Sequence, residues 1–244
     1  DFNQINRLDR VTDTATANTT AQRVLIDHHL HPPVDGYTVQ FSDTHSCSTS
    51  YIVYQLIEAL AGTDAIDQAM AEALYVGIMT DTGNFSFSNL TSDLFRAVAV
   101  LIDRGVNVPY VNSSVYDNFS EGRMRLLGYM LNDKMVTDYR YGVAYVSLTE
   151  EEMRRFNFIQ GDSEGFVNYP LSIRGIRMSA MFIQTKHSIR VSLRSRGSDV
   201  DVNVFARRYF DGGGHRNAAG GKSYVSMDET LKNFHTYLKE YFGA

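Results

Sequence analysis

Val24-Leu25-Ile26-Asp27-His28-His29 is the stretch on which the reading of this chain turns. Three apolar residues, two of them β-branched, read as a buried strand. One carboxylate and two imidazoles follow at once. That is where a strand of an open α/β sheet ends, the usual place for a site. Adjacent side chains on an extended backbone point to opposite sides, so one histidine can ligate a metal while the other faces a substrate or packs. On this pattern alone a structural pair of histidines stays open as the alternative.

Working outward, residues 5–15 predict a short helix with Ile5, Leu8 and Val11 on one face, broken by Asn18-Thr19-Thr20. After the strand, His31-Pro32-Pro33 forces an extended, turn-rich path. Residues 37–41 alternate and read as a second strand, with a polar tail over 42–46. Residues 49–60 predict a helix burying Ile52, Leu56 and Leu60, stopped by Gly62. Thr63 or Asp64 can cap an alanine-rich helix over 65–76. It leads to an apolar segment ending in Thr80-Asp81-Thr82-Gly83, after which Phe85 and Phe87 alternate with Ser86 and Ser88. Thr91 or Ser92 caps a further helix to Ile102, closed at Arg104-Gly105. The order β-α-β-(β)-α-α-α predicts an α/β fold with an open, parallel-rich sheet whose first strands are missing.

Residues 108–130 read as helices and connector, Tyr116-Asp117-Asn118 as a helix end, and the texture then changes. The expected division is a first domain over 1–118, a helical linker over 119–134 and a smaller α+β domain over 135–244. That last domain should hold a hairpin over 135–139 and 142–148. Next come a capping box at Thr149-Glu150-Glu151-Glu152 and a turn or short helical passage over 161–168. Antiparallel strands at 176–184 and 188–195, a helix over 202–209 and a closing helix over 229–241 complete it.

The 244 residues suffice for two ordinary domains. A net charge of -5 with pI near 5.8 argues against a broad basic surface for long nucleic acid, and allows a short ligand held by a local positive patch. The single cysteine, Cys47, permits no internal disulfide. Between Ser46 and Ser48 it marks a helix start, and it fits a buried thiol in a reducing, cytoplasmic setting. No apolar run reaches the length of a membrane span.

Candidate chemistry gathers in the first domain at Asp1, Asp27-His28-His29 and Asp81. Two divalent cations about 3.5–4 Å apart need bridging and terminal carboxylates with imidazole as a mixed ligand. Manganese tolerates that set, with magnesium or cobalt as alternatives, whereas zinc more often gathers thiolates or several histidines. Taken singly, Asp81 also reads as a turn residue and Asp1 as a solvated terminus. In the second domain Gly212-Gly213-Gly214 lets backbone amides approach a phosphate, Ala218-Ala219-Gly220-Gly221 packs tightly beside it, and His215 and Arg216 add donors. Such glycines serve plain turns equally well. Arg190, Arg194 and Arg196 recur at even spacing and line one face of a strand, either as phosphate ligands or as a solvated edge.

These motifs together resemble the DHH/DHHA1 phosphoesterases, most of all the bacterial subgroup that degrades short oligoribonucleotides and dephosphorylates 3'-phosphoadenosine-5'-phosphate (pAp). Asp27-His28-His29 matches the motif that names the family, residues 77–85 a later Gly-Ile-x-x-Asp-Thr-Gly-x-Phe motif, and Gly212–Gly220 with Ser192-Leu193-Arg194-Ser195 the second-domain signature. The resemblance covers nearly the whole chain. It implies that Asp1 bridges two divalent metals, manganese before magnesium or cobalt, while His28 and Asp81 ligate one of them. Asp27 would orient His28, and His29 would face the substrate phosphate. Arg194, Gly213, Gly214, His215 and Arg216 would hold the substrate, with the site in a cleft between the domains. It further implies in-line attack by activated water on phosphorus. The substrates would be short RNA or pAp rather than long duplexes, with no membrane partner, in a monomer or homodimer. Hydrolysis of cyclic or linear dinucleotides is the nearest alternative activity. Pyrophosphatase and exopolyphosphatase activities fit less well, and an inactive nucleotide-binding module is the alternative of another class. The family's first motif, His-x-x-x-Asp-x-Asp, would precede Asp1 and is absent. The expectation is therefore a piece of a longer protein, one that by itself binds metal poorly.

Overall fold

A computed structural model describes residues 1, 5, 8, 11–17, 20–30, 32–33, 35–86 and 89–243. They form two compact units, Asp1–Asn118 and Phe119–Ala244. The second unit takes in the segment expected as a linker together with the α+β domain.

In the first unit α1 (Thr12–Ala17) precedes β1 (Val24–Asp27) and β2 (Val39–Ser42). The two strands are parallel, in register from Val24 opposite Val39 to Asp27 opposite Ser42. Of the helix expected over 5–15, α1 covers the last part and continues to Ala17, and residues 6, 7, 9 and 10 lie outside the described residues. Asn18, Thr19 and His31, and Phe87 and Ser88 of the alternating run, lie outside the described residues. Helix α2 (Thr49–Ala61) starts where the Ser48 hydroxyl accepts from the Tyr51 amide. It buries Ile52 and Tyr54, whereas Leu60, expected inside, is 83% exposed. The α2 residues that meet the core are Tyr54, with Tyr51, Val53 and Ile57 packed beside it.

Helix α3 (Gln68–Asp81) departs from the expected pattern at both ends. Thr63–Ala65 closes a separate turn, and the cap is Asp67, which accepts from the Met70 amide. The helix then continues through Gly77-Ile78-Met79 because Leu74, Tyr75, Ile78 and Met79 form one buried stripe. A Cβ on Gly77 would lie 2.7 Å from Ser50 Cβ, so the glycine permits the close approach of α2 and α3. Helices α4 (Ser92–Asp103) and α5 (Val108–Tyr116) complete the unit, capped by Thr91 and Asn107.

In the second unit α6 (Glu121–Tyr129) runs into a π-helical turn, Met130–Lys134. Strands β3 (Val136–Asp138) and β4 (Val143–Leu148) form the expected hairpin. Next come α7 (Glu150–Arg155), a 3-10 segment Phe166–Ser172, β5 (Met178–Gln184), β6 (Ile189–Ser195), α8 (Val202–Tyr209), β7 (Gly213–His215), β8 (Ala218–Ser223) and α9 (Met227–Phe242). The six-stranded sheet has the order β3-β4-β5-β6-β8-β7, and only β4–β5 is parallel. The connection from β4 to β5, through α7 and the 3-10 segment, is the long crossover that a parallel pair requires. The largest sheet of the described chain is therefore mixed, and the parallel-rich sheet expected of the first unit amounts to two strands.

Alternation along the strands builds a core on each face. On one, Val143, Tyr145, Met178, Ala180, Phe182, Val191 and Leu193 pack against Phe205, Phe210, Phe234 and Leu238 of α8, its C-cap and α9. On the other, Val146, Leu148, Met181 and Ile183 meet Leu126, Leu127 and Met130. The segment expected as a linker thus packs onto the sheet. Each fully buried phenylalanine contributes roughly 1.5–3 kcal/mol of transfer free energy.

Candidate metal centre

Strand β1 delivers Asp27 to the sheet end fully buried. Its Oδ1 accepts the His29 backbone N–H at 2.6 Å, and Oδ2 lies 3.2 Å from His29 Nδ1. Both oxygens therefore serve His29, not His28 as expected. The cause is local, because an aspartate that accepts from the amide two residues on forms an Asx turn. The turn brings the His29 ring back over its own carboxylate. His28 is oriented instead by the polar segment before α2, with Nδ1 3.3 Å from the Ser46 carbonyl. That contact makes Nδ1 the protonated nitrogen and leaves Nε2 with its lone pair outward, as in most histidine metal ligands.

Nε2 of His28 is 3.7 Å from Asp81 Oδ2 at the end of α3, and 3.7 Å from Asp1 Oδ1. Asp1 Oδ1 is also 3.6 Å from His29 Nδ1 and accepts from the Thr49 hydroxyl at 2.9 Å. One carboxylate oxygen thus stands between the two imidazoles. Burial pushes the Asp81 carboxyl up from its usual range, while the charges of His28 and His29 draw it back. A carboxylate facing an imidazole nitrogen is a donor pair that fits a hard divalent cation. Donors about 3–3.7 Å apart suit a cation bound at about 2.0–2.2 Å. The residues present fit the expected group: Asp1 and Asp81 each face His28 Nε2, and Asp1, Asp27 and His29 bring their donor atoms close enough together to share one ion. Ser46 and Thr49 were missed from sequence. Their only signal was a run of short polar residues between a strand and a helix start.

In the second unit Arg194, Ala218 and His215 stand in one cross-strand row. Arg194 Nη1 donates to the Leu193 carbonyl at 2.9 Å, and burial lowers its guanidinium below the usual range. Two of the three amides expected to cradle a phosphate at the triple glycine are committed within the fold. Gly212 N–H donates to the Ala206 carbonyl at 3.2 Å and Gly214 N–H to Asn203 Oδ1 at 3.0 Å. A Cβ on Gly212 would stand 2.0 Å from the Gly220 carbonyl oxygen, and one on Gly214 2.4 Å from that of Ala218. These two glycines close a tight β7–β8 hairpin. Gly213 has no atom within 3.6 Å of a Cβ position, so packing alone does not demand a glycine there. Arg216 donates to the Ser198 carbonyl at 2.6 Å and ties down its own loop.

The chain matches the DHH family, N-terminal domain, over residues 1–78, and the DHHA1 domain over residues 138–244. A solved structure, an exopolyphosphatase-related protein from Bacteroides fragilis, is 38% identical with a TM-score of 0.92 over 99% of this chain and 70% of that one. The chain belongs to the DHH/DHHA1 phosphoesterase family. Within the family it is related to the bifunctional oligoribonuclease and PAP phosphatase NrnA of Bacillus subtilis, 29% identical over 91% of this chain and 69% of that protein. The probable NrnA of Streptococcus mutans is 29% identical over 82% of this chain. The chain spans 62% of that relative's length. Among the described residues no helix is long and apolar enough to cross a membrane.

Proposed function

We propose that this chain carries the hydrolytic centre of a manganese-dependent phosphoesterase. Its substrates would be short oligoribonucleotides, cleaved to 5'-mononucleotides, and pAp, converted to AMP. The observation that carries this is the convergence of Asp1 and Asp81 on His28 Nε2, with the Ser46 carbonyl fixing the ring. Family membership and the NrnA relatives support the substrate class.

Asp1, His28 and Asp81 would hold one cation, and Asp1, placed between the imidazoles, would be shared with a second. Bound divalent metals neutralise phosphoryl oxygens and lower the pKa of water. The chain's own groups do the rest. Asp27 holds the His29 ring by Nδ1, so His29 Nε2 is the nitrogen left to meet a phosphoryl or leaving oxygen. Arg194 and His215, with Gly213 between strands of small residues, would bind the nucleotide or its distal phosphate. The Gly214 amide and the Arg216 side chain, committed to Asn203 and Ser198, would support that surface from behind.

The test is hydrolysis of pAp and of a diribonucleotide by the purified protein, before and after chelation. Turnover should vanish in excess chelator and return with manganese better than with calcium, whose preference for more oxygen ligands and looser geometry suits these donors poorly. Undiminished turnover by protein shown to retain no metal defeats the reading.

A further inference from the structure

Strand β6 carries Arg190, Ser192 and Arg194 on the face opposite its buried residues Ile189, Val191 and Leu193. Arg190 is directly opposed by Lys222 of β8. Like charges placed opposite one another across strands destabilise a sheet. Neither residue has a carboxylate within ion-pairing distance among the described residues, and Lys222 is exposed. Nor is Arg190 left to wander. Its Nη2 donates at 2.9 Å to the hydroxyl of Ser163, a residue only 2% exposed. That serine sits in a loop organised by Arg123, which is 8% exposed and stacked on Phe119 at 4.0 Å. Arg123 donates to the carbonyls of Gly161, Asp162 and Glu164. A buried arginine fixes a loop, the loop fixes a serine, and the serine holds a second arginine whose strand position is opposite a lysine.

We infer that Arg190 and Lys222 form a phosphate subsite on the sheet face of the second unit, taking a backbone phosphate of a short oligoribonucleotide beyond the reach of pAp. Four residues of extended strand separate Arg190 from Arg194, about 13 Å. One nucleotide does not bridge that gap, and a short oligonucleotide does. Between the two cationic rows lie Ser192 and, opposite it on β8, Gly220, both with small side chains or none. The inference rests on the proposed substrate class but concerns substrate length.

The experiment uses the whole protein and its Arg190→Gln, Lys222→Gln and double variants, with circular dichroism to confirm folding. The first readout is binding of a fluorescent penta-adenylate in chelator, where nothing is turned over, across a salt series. The double variant should bind about tenfold more weakly, as for loss of a charge-assisted contact. Its log K against log salt slope should flatten by about 0.7 for each phosphate contact removed. The second readout is kcat/KM in manganese: the pentamer should lose about tenfold while pAp changes less than about twofold. Ser163→Ala, which keeps both charges and removes the anchor, should fall between parent and Arg190→Gln on the pentamer. Unchanged pentamer affinity and slope, or equal losses on pAp and pentamer, overturn the subsite. A parent that binds the pentamer through these residues yet hydrolyses neither substrate would keep the subsite and defeat the proposed reaction.

Discussion

His28 and His29 are neighbours in sequence with different duties, because a buried carboxylate can hold only one of them. Asp27 spends both oxygens on His29, so the His28 ring takes its orientation from a backbone carbonyl eighteen positions on. The two positions should therefore fail differently. His28→Ala removes the nitrogen that faces Asp1 and Asp81, so bound metal should fall below stoichiometry and turnover should drop by at least about a hundredfold. Asp27→Asn keeps an oxygen for the His29 amide but presents an NH2 group to Nδ1, which forces the opposite tautomer. Turnover should fall by a factor on the order of 10²–10⁴ with metal content retained. Metal analysis and kcat on the same preparations separate the two, and loss of metal from Asp27→Asn would make Asp27 a ligand rather than a positioning residue. The strand end that groups these three residues was legible from Val24-Leu25-Ile26 alone. The pairing of Asp27 with His29 was not, because an Asx turn overrides the alternation of an extended strand. Asp81 was singled out by its motif, but its approach to His28 depends on how α3 packs, and periodicity does not encode that.

Among the elements, α7 shows how a cap becomes a pH sensor. Burial alone would raise the Glu152 carboxyl. Hydrogen bonds from Lys134, the Thr149 amide, Tyr129 and the Thr149 hydroxyl outweigh it and hold the group at about 2, against an ordinary 4.5. A carboxyl depressed on folding stabilises the native state above its unfolded pKa, and that stability is lost as pH falls through the folded value. The window here runs from about 4.5 down to about 2, for a contribution on the order of 2–3 kcal/mol. Glu152→Gln should lower the denaturation midpoint at neutral pH and flatten the loss of stability across that window. A variant whose acid limb runs parallel to the parent's would place the acid sensitivity elsewhere. The capping box was readable directly, since its signal spans four residues and needs no partner beyond them. The end of α3 and the glycine hairpin were harder. Thr80-Asp81-Thr82-Gly83 has loop composition, yet Ile78 and Met79 carry the helix to Asp81 by packing against distant residues. Gly212-Gly213-Gly214 announced an unusual backbone, but only the β8 strand shows that the room is taken by carbonyl oxygens.

At the scale of the whole molecule the chemistry is divided. Asp1, His28 and Asp81 belong to the first unit, and the β7–β8 hairpin with Arg194 belongs to the second. The net charge of -5 adds no general attraction for polyanions, so binding has to come from placed groups such as these. A contact made equally in ground and transition states acts mainly through KM. If it also aligns the scissile phosphate, turnover falls as well, because small misplacements are costly. His215→Ala should therefore retain its metal and lose roughly one to three powers of ten in kcat/KM on pAp or a dinucleotide, the scale of a charge-assisted hydrogen bond with some misalignment. The loss should be much smaller on a minimal aryl phosphate ester, which offers the second unit nothing to hold. If His215 merely pins its own hairpin, its removal disturbs the fold locally and spares or damages both substrates alike. Equal losses on the two, with metal content and folding intact, would return His215 to that structural role. A loss confined to the nucleotide substrates would assign the second unit to capture and leave water activation to the first.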